Sequence, residues 1–398
     1  MIFTDKSDVL TRGVEDIIIK KDLIEKLNLG SPLRLKMGFD PSAPDIHLGH
    51  IVGLRKLRQL QKLGHKVILI VGDWTAQIGD PSGKSQTRKM LTSDEVNKNA
   101  ETYLAQFFKI IDRDKTEIRL QSEWFGNFNL ANIINLTSKF TVAQILARDD
   151  FNKRFNNNHP IAITELIYPL LQAYDSLAIE SDVEFGGSDQ RFNLLVGREL
   201  QQNVGMAPQQ CFIMPILRGT DGKMKMSKSL NNYISINEAP NDMFGKIMSI
   251  PDDLIISYFE WLTDVPTKEI KEMQKTLEAN SSNPMQLKKQ VASLIVEDLH
   301  DKKASINSRT FFEETIQKKN TPENIPEYTI NHISKNPDMK LANILVAAKL
   351  TSSTGEARRL IIQGAVKLND ITVTKNLLES QIKPGILKVG RRKYLKLV

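Results

Sequence analysis

A strand, a loop, a helix and a second strand follow one another near the start of the chain. Apolar residues alternate as in a strand at Leu33, Leu35, Met37 and Phe39. They then follow helical spacing at Ile51, Leu54, Leu57, Leu60 and Leu63. The unbroken apolar run 67–72 is typical of a strand buried on both faces. This order forms a βαβ unit, which predicts a parallel sheet with a right-handed crossover. Because ligands of such sheets bind at the carboxyl ends of the strands, we expect a site beyond Phe39.

Two histidines begin the predicted helix. His47 and His50 lie at i and i+3, so both project from one side of the first helical turn. The free N–H groups of that turn favour an anion, and Gly49 lets a ligand approach because it has no Cβ. Taken alone, such a pair is more often a set of ordinary satisfied or exposed histidines. The layout also suits the stabilisation of charge on a phosphate.

The loop at 79–85 contains glycine, serine and lysine, but it is not a P-loop. The Walker spacing needs a glycine where this chain has Ile78, and Pro81 removes a backbone donor. Lys84 and Arg88 are therefore only candidates for contacts with phosphate.

Three later segments carry polar groups in patterns that suit a pocket. Tyr168, Gln172 and Asp175 share one face of a predicted helix, either as a pocket wall or as a hydrogen-bonded core network. A glycine-rich turn at 186–190 precedes a helix, where a carboxylate suits ribose hydroxyls. The loop 221–229 brings Lys223, Lys225 and Lys228 together, which favours either an anion between them or an ordinary solvated loop.

The positive charge of the chain is concentrated at its C-terminal end. The chain has 398 residues, enough for two or three domains, and a formal net charge of +7. Residues 339–398 hold twelve Lys and Arg against three Asp and Glu, whereas the rest holds 42 basic and 44 acidic groups. This distribution predicts a nucleic-acid-binding module on a nearly neutral body, with a solvated basic module as the alternative.

The cysteine count and the hydropathy exclude some classes of protein. The one cysteine, Cys211, rules out a framework of disulfides within the chain and a zinc site built on cysteines. No apolar run reaches membrane-spanning length, and the N-terminal residues lack a signal-peptide apolar region. We therefore expect a cytoplasmic protein without a membrane partner.

Two of these segments together match the motifs of a known enzyme class. His47-Leu48-Gly49-His50 and Lys225-Met226-Ser227-Lys228-Ser229 resemble the two motifs of class I aminoacyl-tRNA synthetases. Within that class the chain resembles the bacterial tyrosyl-tRNA synthetases, on motifs that begin at Gly38, Ile78, Leu171 and Gly186. Residues 341–369 resemble an S4-type RNA-binding module, so the resemblance covers essentially the whole chain.

The resemblance implies an ATP-dependent tyrosine–tRNA ligase with a site for ATP. His47, His50 and Gly49 would hold ATP and stabilise its α-phosphate during attack by the tyrosine carboxylate. Lys225 and Lys228 would bind the leaving pyrophosphate, joined by Lys84 and Arg88. The remaining implied ATP contacts are Gly187 and Asp189, which would bind the ribose, and Met226 and Ser227. Mg²⁺ would accompany ATP without a dedicated protein site for the metal.

The resemblance also implies a site for tyrosine. The amino-acid ammonium and backbone would be surrounded by Asp40, Asp80, Tyr168, Gln172 and Gln190, and Asp175 would accept the phenol proton. One position departs from the family. Many members place a tyrosine that contacts the substrate hydroxyl where this chain has Lys36, so either Lys36 points elsewhere or the phenol is recognised differently.

The expected architecture is α/β followed by two smaller domains. A helical lead at 1–31 opens a Rossmann-like catalytic domain, 1–236, which contains a helical insertion near 112–165. An α-helical anticodon-side domain (237–319) and a linker (320–338) precede a small α+β S4-like domain (339–398). The tRNA contacts are expected from Arg358, Arg359, Arg391, Arg392 and Lys393. By resemblance the partners are tRNA(Tyr) and a second copy of the chain, as a homodimer.

Three alternatives remain at this level. A tryptophanyl enzyme shares the architecture, but the 171–175 motif and the S4-like tail argue against it. A small-molecule nucleotidyltransferase would have no use for the basic tail. A non-catalytic RNA-binding paralogue would not need the intact histidines and lysine loop.

Overall fold

The computed structural model describes residues 6–41, 45–82, 91–317, 325–330, 340–378, 381–390 and 393–398. The chain divides into two compact units. The first unit comprises Met1–Glu238 and Ser249–Ile295, and the second comprises Ala239–Met248 and Val296–Val398. Lys84, Arg88, Arg391 and Arg392, four of the predicted site residues, lie outside the described residues.

In chain order, the strands are β1 (Asp16–Ile18), β2 (Arg34–Phe39), β3 (Lys66–Val71), β4 (Thr116–Leu120), β5 (Val183–Gly187), β6 (Gln210–Met214), β7 (Glu327–Tyr328), β8 (Val366–Leu368), β9 (Ile371–Thr372), β10 (Gly385–Val389) and β11 (Lys393–Leu397). The helices are α1 (Lys6–Val9), α2 (Lys20–Asn28), α3 (Leu48–Lys62), α4 (Thr75–Ile78), α5 (Ser93–Phe107), α6 (Ser122–Phe125), α7 (Leu130–Thr137), α8 (Val142–Leu146), α9 (Asp149–Asn156), α10 (Ile163–Ala178), α11 (Arg191–Asn203), α12 (Pro240–Met248), α13 (Ile255–Leu262), α14 (Thr267–Glu278), α15 (Pro284–Leu299), α16 (Lys302–Phe312), α17 (Leu341–Ala347) and α18 (Thr354–Ile362).

A six-stranded sheet in the order β1-β6-β5-β2-β3-β4 forms the centre of the first unit. The five strands from β6 to β4 pair in parallel, as the βαβ pattern predicts, and β2 lies between β3 and β5. Lys66–Val71 is buried on both faces of the sheet, apart from Lys66 itself. The predicted α/β fold class is confirmed.

The sheet extends beyond the prediction at both edges. β1 pairs antiparallel with β6, although residues 1–31 were expected to be helical. β4 pairs with β3, although it falls within the predicted helical insertion. Both strands are short, and pairing with a distant neighbour stabilises them. A local apolar pattern carries no information about that pairing, so the sequence does not reveal either strand.

Helices α10 and α11 pack closely against each other in the first unit. A core cluster made by α10, α11 and the helices between β4 and α10 includes Phe125, Leu136, Phe151, Leu171 and Leu200. This packing fixes the face of α10 that carries the predicted polar stripe.

The second unit contains a five-stranded sheet in the order β7-β11-β10-β8-β9. Its core is formed by α17, α18 and the strands, with Leu341, Leu345, Ile361, Leu387 and Leu395 fully or almost fully buried. The N-terminus of α18 is capped, because the Ser353 side chain accepts from the Glu356 backbone N–H.

The division into units cuts across the predicted helical domain. Residues 249–295 belong to the first unit, whereas 239–248 and the residues from 296 onward belong to the second. The domain boundaries set out above stay predictions. Among the described residues, no helix combines the length and the apolar character needed to cross a membrane.

Candidate active site

A cavity of about 990 Å³ opens in the first unit at the carboxyl ends of the parallel strands. It is lined by residues 38–40 at the end of β2, Gly72 after β3, 186–187 at the end of β5 and 214–217 at the end of β6. The βαβ pattern predicts a site at this edge of the sheet.

Most of the predicted ATP and tyrosine residues meet in this one cavity. Those that line it are Asp40, His47, Gly49, His50, Asp80, Tyr168, Gln172, Asp175, Gly187, Asp189, Gln190, Lys225, Met226 and Ser227. Lys228 is not among the lining residues. Its ammonium is buried without a hydrogen-bond partner in the described part of the chain, and burial lowers its pKa.

The histidine pair is held by the first turn of α3. Nδ1 of His47 accepts from the Gly49 backbone N–H, and Nδ1 of His50 accepts from the His47 backbone N–H, both at 3.2 Å. The two rings lie 4.1 Å apart. A side chain at Gly49 would bring a Cβ to 3.0 Å from the His47 ring, so glycine keeps this arrangement relaxed.

Burial keeps both histidines neutral. It lowers the pKa of His47 to about 2, with further lowering by His50 and the lysine loop. It lowers the pKa of His50 to about 4, partly offset by a hydrogen bond from Nδ1 to the His47 carbonyl. Because Nδ1 of His47 accepts a backbone hydrogen bond, its neutral ring carries the proton on Nε2. Nδ1 of His50 lies 3.2 Å from the His47 backbone N–H and 3.3 Å from the His47 carbonyl oxygen, so these contacts fit either tautomer. The pair therefore presents N–H donors rather than groups that exchange protons at neutral pH.

The loop 221–229, here called the lysine loop, is linked to the start of α3 by the chain segment that follows the loop. The Leu48 backbone N–H donates to the Ile234 carbonyl at 3.0 Å. Asn232 braces the loop, because its Oδ1 accepts from the Ser227 backbone N–H at 2.8 Å and its Nδ2 donates to the Lys225 carbonyl at 3.1 Å. Lys225 forms an ion pair with Asp189 at 2.9 Å.

At the other side of the cavity, Asp40 is fixed by two hydroxyl groups. Tyr168 donates to one carboxylate oxygen at 2.8 Å, and Thr75 donates to the other at 2.7 Å. Burial and the nearby carboxylates raise the pKa of Tyr168 well above its usual value, so its hydroxyl remains a donor. A Cβ at Gly72 would overlap both the Asp40 carboxylate and the Thr75 hydroxyl, so this position requires glycine.

Asp175 lies at the buried end of the cavity. Its two oxygens accept from Nε2 of Gln121 at 3.1 and 2.9 Å, and one also accepts from Nε1 of Trp124 at 3.2 Å. Burial raises the pKa of Asp175 to about 7, and the nearby Lys36 opposes this shift. The site therefore contains a carboxylate that titrates near neutral pH.

Sequence reasoning missed Gln121, Trp124 and Asn193. Gln121 lines the cavity directly after β4, at the carboxyl edge of the sheet, and the polar residue there would have been a signal had β4 been recognised. Asn193 is fully buried in the first turn of α11 and donates to Gln172 and Gln190 at 3.1 and 3.0 Å.

Lys36 does not line the cavity. Its side chain is 0% exposed, and its ammonium forms an ion pair with Glu184 at 2.9 Å. Of the two readings of this departure from the family, the structure favours the one in which Lys36 points elsewhere, towards Glu184.

The remaining predicted contacts belong to the second unit. Arg358 and Arg359 are exposed on α18. Lys393 is half-buried, and its ammonium donates to the Leu350 carbonyl at 2.6 Å. Searched over the residues that the structure describes, His, Cys, Asp and Glu form no group of three or more that would hold a metal ion.

Comparison with known proteins identifies the class of this fold and site. Residues 28–317 match the family model of class I tRNA synthetases (W and Y), and residues 339–376 match the S4 domain. The first of these matches covers most of the chain, so the chain belongs to the class I tRNA synthetases.

Relatives with curated functions identify one family within this class. A tyrosine–tRNA ligase of Dehalococcoides mccartyi (strain CBDB1) is 53% identical over 391 residues, which cover 98% of each chain. That of Thermotoga maritima is 46% identical over 392 residues, covering 98% of this chain and 96% of its own. The chain belongs to the tyrosine–tRNA ligase family.

Solved structures support the fold. The tyrosyl-tRNA synthetase of Archaeoglobus fulgidus, solved with L-tyrosine, aligns with a TM-score of 0.61 and 22% identity. The alignment covers 76% of this chain and 98% of that one. A truncated mitochondrial tyrosyl-tRNA synthetase of Coccidioides posadasii gives a TM-score of 0.62 with 21% identity, covering 76% of this chain and 90% of that one.

The raised pKa of Asp175 predicts a pH dependence. The anion, which accepts a hydrogen bond more strongly than the acid, predominates above about pH 7. We expect kcat/KM for tyrosine in pyrophosphate exchange to rise between about pH 6 and about pH 8 and then level off. The histidines stay neutral throughout this range, so kcat/KM for ATP at saturating tyrosine should be flat.

Asp175→Asn is the matched variant, because it keeps the shape and removes the titration. It should lose the rise with pH and lower kcat/KM for tyrosine by about tenfold to about a hundredfold, the loss of one hydrogen bond to a charged group. A rise with pH that persists in the variant would show that another group is responsible.

Proposed function

We propose that the chain activates L-tyrosine with ATP and transfers the tyrosyl group to the 3′ end of tRNA(Tyr). The observation that carries this proposal is the layout of the cavity. Neutral imidazole donors and a lysine loop flank its nucleotide side, and a buried carboxylate, Asp175, closes its far end. Membership of the tyrosine–tRNA ligase family supports the same activity.

In this proposal the amino acid lies with its phenol towards Asp175. The carboxylate accepts the phenol proton, while Gln121 and Trp124 hold it in place. Phenylalanine would leave this buried acceptor without its partner, which is costly, so the site selects for the hydroxyl. Asp40, Asp80, Tyr168, Gln172 and Gln190 surround the ammonium end.

The first reaction needs no covalent catalyst. A carboxylate oxygen of tyrosine attacks the α-phosphorus of ATP, the bond to the β-phosphate oxygen breaks, and pyrophosphate leaves with its electron pair. His47, through Nε2–H, and His50, through an imidazole N–H, donate hydrogen bonds to the crowded phosphate, where negative charge accumulates. Positioning and charge stabilisation supply the rate, as is usual for phosphoryl and nucleotidyl transfer.

The nucleotide is held by groups on three loops. Gly187 and Asp189 bind the ribose, and Gly49 allows the adenosine to approach α3. Lys225 and Lys228, with Met226 and Ser227, bind the phosphates that leave, together with Lys84 and Arg88. ATP enters as its Mg²⁺ complex, with the metal carried by the phosphates.

In the second reaction, a terminal ribose hydroxyl of tRNA attacks the carbonyl carbon of the tyrosyl-adenylate. AMP leaves, and the ester bond to tRNA forms. The S4 module matched at 339–376, with Arg358 and Arg359 exposed on α18, supports a role in holding the RNA. We place the enzyme in the cytoplasm, where the tRNA pool is charged.

Amino-acid-dependent pyrophosphate exchange tests the substrate. We expect exchange with tyrosine alone among the twenty amino acids, because Asp175 needs a hydroxyl donor at that end of the cavity. His47→Asn and His50→Gln, which keep donors but not their positions, should lower kcat with tyrosine. Exchange that depends on tryptophan would transfer the chain to the other branch of its class, and none at all would favour a non-catalytic paralogue.

Charge reversal of Arg358 and Arg359 tests the RNA contact. The double variant Arg358→Glu/Arg359→Glu should raise KM for tRNA in the charging reaction at least about tenfold, because phosphate contacts dominate such affinity. Pyrophosphate exchange should be unchanged. The control, Lys20→Glu/Lys21→Glu, reverses two exposed lysines on α2 in the first unit. Equal loss of charging in both variants would point to overall charge rather than to α18.

We also propose a homodimer. Large apolar side chains are exposed along α7, α8, α9 and the start of α10, at Leu130 (74%), Ile134 (58%), Val142 (65%), Phe155 (60%) and Ile163 (75%). Five large exposed apolar side chains lie within 34 residues of the sequence, which favours an interface over a free surface for these helices.

Leu130→Glu/Ile134→Glu should convert the dimer into monomers, because each carboxylate would be buried at the interface. Sedimentation velocity measures the change. Ile306→Glu is the control, since Ile306 is 56% exposed on α16 in the second unit. A wild-type chain that sediments as a monomer at micromolar concentration would contradict the proposal.

A further inference from the structure

Lys36 and Glu184 form a fully buried ion pair below the cavity. They are direct partners in the parallel pairing of β2 and β5, with side chains 0% and 1% exposed. The Lys36 ammonium donates to the Gln172 backbone carbonyl at 2.7 Å and to the Ser176 hydroxyl at 2.8 Å, and it lies 2.9 Å from Oε1 of Glu184. An ammonium has three donors, and here all three are used.

Glu184 in turn determines the orientation of the Gln172 side-chain amide. Its Oε1 accepts from Nε2 of Gln172 at 3.0 Å, and its Oε2 accepts from Ser176 at 3.2 Å and from Gln209. Because the Gln172 amide nitrogen is bound to Glu184, its carbonyl oxygen is directed to the other side. There it accepts from Nδ2 of Asn193 at 3.1 Å, and Gln172 lines the cavity.

Asn193 orients the side-chain amide of a second glutamine, Gln190, in the same way. Its Nδ2 also donates to Oε1 of Gln190 at 3.0 Å, and Nε2 of Gln190 donates to Asp80. The two glutamine carbonyl oxygens, on Gln172 and Gln190, therefore converge on one buried donor. Reversal of the Gln172 amide would place its NH₂ against that of Asn193.

We propose that Lys36 and Glu184 are positioning residues, which fix the Gln172 amide so that its carbonyl oxygen accepts from the ammonium of the amino-acid substrate. An ammonium is a donor only, so it requires acceptors in this orientation. This inference rests on the proposed function. It gives Lys36 a role in substrate binding without contact between Lys36 and the substrate.

Substrate fragments separate this role from a general loss of structure. Tyrosinol keeps the ammonium and the phenol, whereas 3-(4-hydroxyphenyl)propionate keeps the phenol and lacks the ammonium. In Lys36→Met, Ki for tyrosinol and KM for tyrosine should rise at least about tenfold, the loss of a hydrogen bond to a charged group. Ki for the propionate and KM for ATP should change by less than about twofold.

A second variant keeps the test valid if the unpaired Glu184 carboxylate prevents folding. Lys36→Met/Glu184→Gln leaves no buried charge at this position, which restores stability in many proteins. The glutamine introduced at 184 no longer presents acceptors alone, so the Gln172 amide loses its fixed direction. The double variant should therefore show the same selective rise in Ki for tyrosinol.

Lys56→Met is the matched control. Lys56 is 4% exposed on α3 and does not line the cavity. Its ammonium also makes three hydrogen bonds, to the Val9 and Arg12 carbonyls at 2.9 and 2.8 Å and to Gln59 at 3.0 Å. This variant should lower the unfolding temperature and leave both inhibition constants unchanged.

The measured inhibition constants decide between a positioning role for Lys36 and Glu184 and a general loss of structure. Equal weakening of tyrosinol and the propionate, or a tyrosine KM in the double variant like that of the wild type, would overturn the positioning role. So would a selective tyrosinol effect in Lys56→Met. Absence of tyrosine-dependent exchange in the wild-type protein would instead overturn the proposed function itself.

Discussion

The parallel pairing of β2 with β3 on one side and β5 on the other determines where the site groups lie. Asp40 and Gly72 follow β2 and β3, and Gly187 ends β5, so all three come to the same edge of the sheet. The same pairing places Lys36 opposite Glu184 in the interior. A slip of one residue in β2 would move Lys36 to the opposite face and remove the counter-ion of Glu184.

Burial at this edge of the sheet shifts the pKa of the histidines and that of Asp175 in opposite directions. It suppresses the charged form of His47 and His50, which leaves two neutral imidazoles in the cavity. It brings Asp175 to the borderline between its two protonation states, with Lys36 opposing the shift. The donors Gln121 and Trp124 favour the anion, so the protonation state of Asp175 depends on a balance of solvation, charge and hydrogen bonding.

The sequence predicted the groups that local motifs carry and missed those that depend on distant pairing. The histidines, the lysine loop and the stripe on α10 were recognised because their spacing within one segment implies one surface. Gln121 and Trp124 follow β4, whose pairing with β3 has no local signature. Lys36 was identified as unusual, but its partner Glu184 lies on another strand, and only the register joins them. The parallel sheet followed from the βαβ pattern, and the antiparallel β1 did not.

The ion pair between Lys225 and Asp189 has a consequence for the order of events at the site. Both groups are partly exposed, at 41% and 30%, and such a pair contributes less than about 1 kcal/mol. In the proposed roles, the nucleotide ribose needs Asp189 and the phosphates need Lys225, so the two partners separate when ATP enters. In these roles the nucleotide itself releases the lysine that its phosphates bind, because its ribose competes for Asp189. Because the ion pair is weak, its separation costs little of the binding free energy of the nucleotide.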